Sequence, residues 1–292
     1  MKKSDVTLLI PEDASARLGR VTNATGQLQV GDISVAYREH GAGDPVLLVH
    51  GLAQDLRSWA AVQADLADWR TIAYDLRGHG ETSLGDADGT LEQLGLDLVG
   101  LLEQLGPAVV AGFSLGGTVA LWAAARRPDL VSGLVVLGTS SAVGRSAADF
   151  YGERIELFRA GDRDAMLSAL RDDSAPALAT SGVDLDALAR ERLEAVGDGG
   201  GYCSAAAAMA RLRDEPLTPD LGKIAADVLV VGGEHDSFCP RRAADIMLGE
   251  LPSAKYVEIP GAGHLMAIDA PEATASAIRD YLRAHAADEP AA

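Results

Sequence analysis

Short apolar runs alternate with longer segments of helical spacing through most of this 292-residue chain. The run VLLV, which ends at Val49, is apolar at every position, as expected of a strand that is covered on both faces. Before it, Ile33, Val35 and Tyr37 alternate with polar or small residues, which predicts a half-buried strand. Strands that alternate with helices form a mostly parallel sheet with helices on both faces, so the sequence predicts an α/β fold. The further strand-like runs are Thr71–Tyr74, Val109–Ala111, Leu134–Leu137, Val228–Val231 and Tyr256–Ile259, and the helix-compatible segments are Ser58–Leu66, Leu91–Leu105, Leu115–Arg127, Arg241–Leu251 and Pro271–Ala284.

One stretch, residues 141–222, interrupts this alternation. It is rich in Ala, Arg, Asp and Leu at helical spacing, and the breaker GDGGG occupies 197–201. We predict that it is a helical cap inserted into an α/β core formed by residues 27–140 and 223–286. Residues 1–26 show no sustained period, which predicts a loosely attached N-terminal extension.

Composition narrows the classes of partner. The chain has 43 acidic and 25 basic residues, a net charge of -18, which repels phosphate backbones and anionic lipids and argues against nucleic-acid or membrane partners. The apolar run Val6 to Ile10 is too short for a secretory signal, and two cysteines, Cys203 and Cys239, are too few for a disulfide framework. We therefore expect a cytoplasmic protein with free thiols and a small-molecule substrate, and we expect no metal and no cofactor.

The segment AGFSLGG is the strongest candidate for a reactive site. Ser114 stands between Gly112 and Gly116, directly after an apolar run and before a helix-compatible segment that ends before Pro128. A turn sharp enough to lift a serine hydroxyl above the end of a strand strains the serine backbone, and flanking glycines remove Cβ atoms that would clash. The alternative is an ordinary glycine-rich turn. The strand before the motif and the helix after it favour a nucleophile.

A serine hydroxyl is a weak nucleophile and requires a positioned base. His264, in GAGHLM, follows a predicted strand and precedes the last helix. It is therefore expected at the carboxyl edge of the sheet, where Ser114 also lies. His235 follows the preceding strand at the same edge and is the competing candidate. We select His264 as the base.

Two further elements are needed for acyl transfer, a carboxylate that orients the histidine and donors for the oxyanion. Glu234 and Asp236 both follow the strand Val228–Val231, and either could be the carboxylate. The backbone N–H of Leu115 follows the serine at a helix N-terminus, where partial positive charge favours an anion. The N–H of Leu52, in the loop HGLAQ after VLLV, is the predicted second donor.

Five segments together resemble the α/β-hydrolase superfamily: LLVHG, YDLRGHGET, AGFSLGG, GEHD and GAGH, in that order over residues 30–284. The resemblance implies an eight-stranded, mostly parallel sheet flanked by helices, with a helical cap. It also implies a triad in the chain order Ser114, Asp236, His264, which selects Asp236 over Glu234. Within the superfamily, GTSSAVG and RIELFRAGD are most similar to the 3-oxoadipate enol-lactonase and esterase group, and the cap departs from that pattern after about Ser168.

The resemblance implies hydrolysis of a carboxylic ester or lactone of a small organic substrate through an acyl-enzyme. A serine rather than an aspartate nucleophile argues against a dehalogenase or an epoxide hydrolase. Two alternatives stay open: a carbon–carbon bond hydrolase with the same triad, and a ligand-binding protein that keeps the fold without hydrolysis. Methionine and leucine stripes on helices are more often core than pocket, but five such cap residues are pocket candidates. They are Met166, Leu167, Leu170, Met209 and Leu212.

Overall fold

The computed structural model of the protein describes residues 22–288, and this part of the chain forms eight β-strands and ten α-helices. The strands are β1 (Thr22–Val30), β2 (Ile33–Gly41), β3 (Pro45–Val49), β4 (Arg70–Tyr74), β5 (Ala108–Phe113), β6 (Val131–Leu137), β7 (Asp227–Gly233) and β8 (Ala254–Ile259). The helices are α1 (Ala60–Asp65), α2 (Leu91–Leu105), α3 (Leu115–Arg126), α4 (Arg145–Arg159), α5 (Arg163–Ser174), α6 (Leu185–Val196), α7 (Gly200–Arg211), α8 (Arg241–Glu250), α9 (Met266–Asp269) and α10 (Pro271–Asp288).

All eight strands belong to one sheet, in the order β1-β2-β4-β3-β5-β6-β7-β8. β2 is antiparallel to both of its neighbours, whereas the pairs from β4 through β8 are parallel. The predicted eight-stranded, mostly parallel sheet is therefore confirmed. β5 lies between β3 and β6, so the turn after β5 emerges at the middle of the carboxyl edge, where open parallel sheets collect ligands.

The uninterrupted apolar runs follow from burial on both faces of the sheet. In β3, Leu47 and Val49 pack into a cluster with residues of α2 and α3 on one face. Val46 and Leu48 pack with residues of α1 and α10 on the other. Since successive strand residues point to opposite faces, each position in such a strand must be apolar.

The predicted boundary of the N-terminal extension is wrong. Residues 22–26 belong to β1, which pairs antiparallel with β2 from Thr22, opposite Gly41, to Val30, opposite Ile33. β1 forms one edge of the sheet and exposes most of its polar side chains. In its second half Leu28 and Val30 alternate with exposed glutamines and pack into the core, but residues 22–26 have no such alternation, so the predicted boundary falls inside the strand. The rest of the predicted extension, residues 1–21, lies outside the described residues.

The stretch between β6 and β7 contains α4 to α7 and no strand in residues 138–226, all of which the structure describes. The breaker GDGGG separates α6 from α7. These helices share a hydrophobic cluster, in which the rings of Phe158 and Tyr202 stack with centroids 3.8 Å apart and to which Ala53, from the loop after β3, also belongs. The division into core and cap as separate units stays a prediction. No helix within residues 22–288 has the length and apolar character needed to cross a lipid bilayer.

Candidate active site

Ser114 occupies the sharp turn between β5 and α3. Its backbone has φ 52° and ψ -119°, a positive φ that residues with a Cβ rarely adopt. The Ser114 N–H donates to the carbonyl oxygen of Leu137 at the end of β6, at 2.8 Å, and the Ser114 carbonyl accepts from the N–H of Gly117 at 3.0 Å. These bonds hold the strained serine at the N-terminus of α3, beside a cavity that its side chain helps to line.

Two glycines make this turn sterically possible. A Cβ atom at Gly112 would lie 2.4 Å from the carbonyl oxygen of Gly116, and a Cβ atom at Gly116 would lie 2.3 Å from the carbonyl oxygen of Val49. Both contacts are with backbone, which cannot give way without displacing the sheet. The glycine spacing around Ser114 is therefore a packing requirement of the turn.

His264 reaches Ser114 from the loop between β8 and α9. Its Nε2 lies 3.1 Å from the Ser114 Oγ. The imidazole contacts the rings of Phe113 and Phe238, with centroid distances of 5.0 and 5.2 Å. The side chain is only 11% exposed, so packing restricts the ring to the orientation in which it meets the serine.

Asp236, in the loop after β7, completes the series of polar contacts. Its Oδ2 lies 2.9 Å from the His264 Nδ1, and its Oδ1 accepts from the backbone N–H groups of Phe238, at 2.9 Å, and Cys239, at 2.8 Å. Burial alone would raise the pKa of Asp236, but the hydrogen bond and charge of His264, together with the two amide donors, hold that pKa below its ordinary value.

These contacts define the protonation of the imidazole. The ionised Asp236 carboxylate accepts hydrogen bonds and donates none, so the His264 Nδ1 must carry a proton toward it. In a neutral imidazole the other nitrogen, Nε2, is then unprotonated. It is the atom that faces the Ser114 hydroxyl, so His264 is oriented as a proton acceptor.

The competing side chains lie at the surface instead. His235 is 59% exposed and 4.0 Å from the Glu234 carboxylate, which is 48% exposed. The Glu234 carboxylate also accepts from the N–H of Gly261 at 2.8 Å. Of the two histidines and two acids that the sequence offered, the structure brings His264 and Asp236 to the serine.

The two residues predicted to supply oxyanion donors lie on different elements at the carboxyl edge of the sheet. Leu115 is the first residue of α3, and Leu52 lies in the loop after β3 and lines the same cavity as Ser114. The next residue, Ala53, has φ 56°. A positive φ in alanine is strained and must be maintained by the surroundings.

The buried side chain of His50 supports that loop through hydrogen-bond contacts of both ring nitrogens. One ring nitrogen, Nδ1, lies 2.8 Å from the carbonyl oxygen of Gly51, and the other, Nε2, accepts from the N–H of Leu76 at 2.9 Å. Burial, with the nearby His79, lowers the pKa of His50 to about 3, so the ring stays neutral with its proton on Nδ1. His50 therefore has a structural role, and the Gly51 N–H is held in turn by the side-chain oxygen of Gln54 at 3.0 Å.

Comparison with known proteins identifies the family. A family model for the alpha/beta hydrolase fold matches residues 44–271. The chain belongs to the α/β-hydrolase family. The predicted resemblance and the prediction of an α/β-hydrolase enzyme are thereby confirmed.

Individual relatives of this α/β-hydrolase have low sequence identity to it, but they align over most of both chains. The chain is 31% identical over 263 residues to a Mycobacterium tuberculosis protein named non-heme bromoperoxidase BpoC. The aligned region covers 85% of this chain and 97% of that protein. It is 26% identical to 3-oxoadipate enol-lactonase 2 of Acinetobacter baylyi, over 86% of this chain and 94% of that enzyme. The crystal structure of the enol-lactonase from Burkholderia xenovorans matches with a TM-score of 0.79 at 26% identity, and the match covers 88% of this chain and 100% of the other.

In this α/β-hydrolase a cavity of about 470 Å³ adjoins Ser114 and His264. Its walls come from the turn after β5, from the segment that follows β6 and from α4 and α8. A second cavity of about 430 Å³ lies beside it, and both are lined by Phe113, Arg192 and Leu265. Among the residues that the structure describes, no group of three or more His, Cys, Asp or Glu side chains is arranged to hold a metal ion.

The cap residues predicted as pocket candidates divide between the cavity and the core. Met209 lines the cavity beside Ser114. Met166, Leu170 and Leu212 are buried in hydrophobic clusters, and Leu167 packs against one of them. For these four residues the structure agrees with the favoured interpretation of such stripes as core: Met166, Leu167 and Leu170 pack among the cap helices, and Leu212 packs in the cluster that includes α2 and α3.

Arg192 is the cavity residue that the sequence did not reveal. It lies in α6 within the run ARERLE, beside the exposed residues Arg190 and Glu191. A charged residue in such a run normally belongs to the solvated face of a helix. Its position between two cavities depends on tertiary packing, for which the local sequence carries no signal.

Proposed function

We propose that this α/β-hydrolase cleaves a carboxylic ester or a lactone of a small organic substrate through an acyl-enzyme on Ser114. The observation that carries the proposal is the continuous path from the Ser114 Oγ to the His264 Nε2, at 3.1 Å, and from the His264 Nδ1 to the Asp236 carboxylate, at 2.9 Å. The path begins at the wall of a cavity large enough for a small ligand.

In the acylation step His264 accepts the hydroxyl proton as the Ser114 Oγ bonds to the substrate carbonyl carbon, and the carbonyl electron pair moves to its oxygen. The N–H groups of Leu52 and Leu115 stabilise that oxyanion. The intermediate then collapses, the bond to the leaving oxygen breaks, and His264 returns its proton to that oxygen. Asp236 stabilises the imidazolium that exists between the two proton transfers.

Water completes the reaction. His264 accepts a proton from water as the water oxygen attacks the acyl carbon. The tetrahedral intermediate then collapses, the bond between the acyl carbon and the Ser114 Oγ breaks, and His264 returns the proton to that oxygen, which releases the acid and restores the serine. For an ester the alcohol leaves before this step. For a lactone the new hydroxyl group stays attached to the acyl chain, so one product is formed.

Covalent labelling tests the proposal. An organophosphonate serine probe should label the protein, and a short activated ester such as 4-nitrophenyl butyrate should be turned over. Ser114→Ala should abolish labelling and lower kcat by about 10⁴- to 10⁶-fold. Ser146→Ala is the matched control, since Ser146 is an exposed serine that lines the same cavity. It should keep labelling and activity within about twofold.

The outcomes separate the alternatives. Activity of Ser114→Ala within about tenfold of the parent would refute the acyl-enzyme. Absence of both labelling and ester turnover in folded protein would favour a ligand-binding protein. Labelling that depends on Ser114, without turnover of esters or lactones, would favour a carbon–carbon bond hydrolase.

A further inference from the structure

We propose that Arg192 binds a carboxylate of the substrate, so that the ester or lactone cleaved at Ser114 carries a second, negatively charged group. The inference rests on the proposed function, because both residues line one cavity. A single substrate can therefore place its carbonyl at the serine and its carboxylate at the guanidinium.

The guanidinium of Arg192 is only partly satisfied by the protein. Its Nη1 donates to the Ser174 Oγ at 2.6 Å and toward the carbonyl oxygen of Leu170 at 3.5 Å, and its Nε donates to the carbonyl oxygen of Ala53 at 3.3 Å. All three acceptors are neutral. Among residues 22–288 no hydrogen bond reaches Nη2, although arginine carries five N–H donors.

An arginine in this position normally has a carboxylate partner, because an unpaired buried charge is costly. The buried Arg77 has two, Asp32 at 2.8 Å and Asp97 at 2.7 Å, whereas Arg192 is half-buried at the cavity wall. For Arg192 no carboxylate oxygen of the described residues lies within 4.0 Å. Burial lowers the pKa of this guanidinium, although the negative charge of Asp173 opposes the effect.

Asp173 is the carboxylate of the cavity wall that could pair with Arg192, but it already pairs with another arginine. It lines the cavity, but its two oxygens accept from the Arg154 guanidinium at 2.6 and 2.9 Å. Its charge is therefore balanced by Arg154. Arg242, an exposed residue of the same cavity wall, adds a second cation. The cavity is locally positive in a protein whose net charge is -18.

These features favour a carboxylate as the ligand. The planar guanidinium fork matches a planar carboxylate, and such charge-assisted hydrogen bonds are about twice as strong as neutral ones. The acidic surface repels anions at long range. A cation inside the cavity therefore favours anionic over neutral ligands only after they have entered.

A purely structural role is the rival explanation, because the Nε of Arg192 also supports the Ala53 carbonyl and thus the loop that carries Leu52. Loss of that support would slow turnover of charged and neutral substrates alike. The test must therefore compare a charged ligand with a neutral ligand of the same shape, and it must measure binding without catalysis.

Calorimetric titration of the Ser114→Ala protein provides that comparison. The ligands are monomethyl succinate, glutarate and adipate, each paired with the methyl ester whose free acid is replaced by a primary amide. We expect at least one acid to bind about tenfold or more tightly than its amide. Adding Arg192→Gln should remove that preference, whereas Arg192→Lys should keep part of it. Arg190→Gln, which removes the same charge from an exposed position on α6, should leave the preference unchanged.

Equal binding of every acid and its amide would overturn the proposal. So would an acid preference that persists in Arg192→Gln, or the absence of binding by all six ligands in the millimolar range. The result is independent of the acyl-enzyme: a preference for acids in a protein that hydrolyses no ester would refute the proposed function and keep the role of Arg192. Ser114-dependent hydrolysis of esters without a preference for acids would support the proposed function and refute the role of Arg192.

Discussion

Asp236→Asn tests the protonation argument at the centre of the site, because the substitution preserves shape and changes one acceptor into a donor. The Asp236 Oδ1 is held by the N–H groups of Phe238 and Cys239. The single oxygen of an asparagine amide is therefore fixed on that side, and its NH₂ group faces His264. A neutral imidazole must then present an unprotonated Nδ1. Its proton moves to Nε2, which can no longer accept from the Ser114 hydroxyl.

The expected magnitude follows from the same contacts. Rotating the amide to restore the productive tautomer would leave two buried backbone N–H groups facing NH₂, at a cost of about 1–3 kcal/mol each. Two such groups cost about 2–6 kcal/mol together, so the productive tautomer would be populated at about 10⁻¹·⁵ to 10⁻⁴. Because the charge that stabilises the imidazolium is also lost, we expect kcat to fall by about 10⁴-fold. KM should change little, because Asp236 is not among the residues that line the cavity.

Steady-state hydrolysis of 4-nitrophenyl butyrate measures both constants, and circular dichroism verifies the fold. Glu234→Gln is the matched control. It keeps an acceptor for the Gly261 N–H and should stay within about twofold of the parent. Retention of activity by Asp236→Asn within about tenfold would refute the tautomer argument. If Glu234→Gln were the more damaging change, the carboxylate would have to be reassigned to Glu234.

Three further predictions concern stability and are measured by urea unfolding. Gly117→Ala would place a Cβ atom 2.0 Å from the Thr139 Oγ1, so we expect a loss of about 1–3 kcal/mol from overpacking; an unchanged midpoint would contradict this. Arg77→Met leaves the buried Asp97 carboxylate without the guanidinium 2.7 Å away, which should cost about 3–5 kcal/mol; a loss below about 1 kcal/mol would show that the pair is dispensable. Burial raises the pKa of Asp75 from 3.8 to about 6, so its contribution to stability is fully present below pH 3.8 and is lost as the pH rises through 6. The unfolding free energy of the parent should therefore fall by about 2 kcal/mol relative to Asp75→Asn between about pH 4 and 7, and a difference independent of pH would refute the assignment.

The features that could be predicted from sequence are those fixed by local sterics or by burial on both faces. The strand that ends at Val49 has to be apolar throughout, since both of its faces are covered. The glycines around Ser114 have to be glycines, because a Cβ atom there would meet backbone. Such requirements produce recognisable patterns of apolar residues or glycines over a few consecutive positions of the chain. His264 could be located in the same way, since the end of a parallel strand fixes the edge at which its loop lies.

Features that depend on distant parts of the chain escaped prediction. The first half of β1, residues 22–26, lies at a largely exposed sheet edge, so its backbone pairing with β2 has no counterpart in a hydrophobic period. Asp236 and Glu234 are two residues apart and both carry a carboxylate, and only the resemblance to a family selected between them. Met166 and Arg192 both lie in cap helices, yet packing buries the first and brings the second to the cavity. No local rule separates these cases.

Backbone strain connects the two proposals. Within residues 22–288 the non-glycine residues with positive φ are Ala53, at 56°, and Ser114, at 52°. Each adjoins a proposed oxyanion donor, and such strain costs about 1–3 kcal/mol and persists only where other contacts enforce it. Ser114 is held among others by the hydrogen bond from its N–H to the carbonyl oxygen of Leu137. Ala53 is buried in the hydrophobic cluster of the cap, and its carbonyl accepts a hydrogen bond from the Nε of Arg192.

Arg192 therefore acts on the site in two ways that can be separated. Its Nε contact supports the loop of Leu52, so losing it should lower kcat for every substrate, charged or neutral. Its charge acts only on ligands that carry an anion, so losing it should weaken their binding and leave the binding of neutral analogues unchanged. Kinetics on a neutral ester report the first effect, and acid-to-amide binding ratios report the second. A single substitution, Arg192→Gln, should show both, and each can fail without the other.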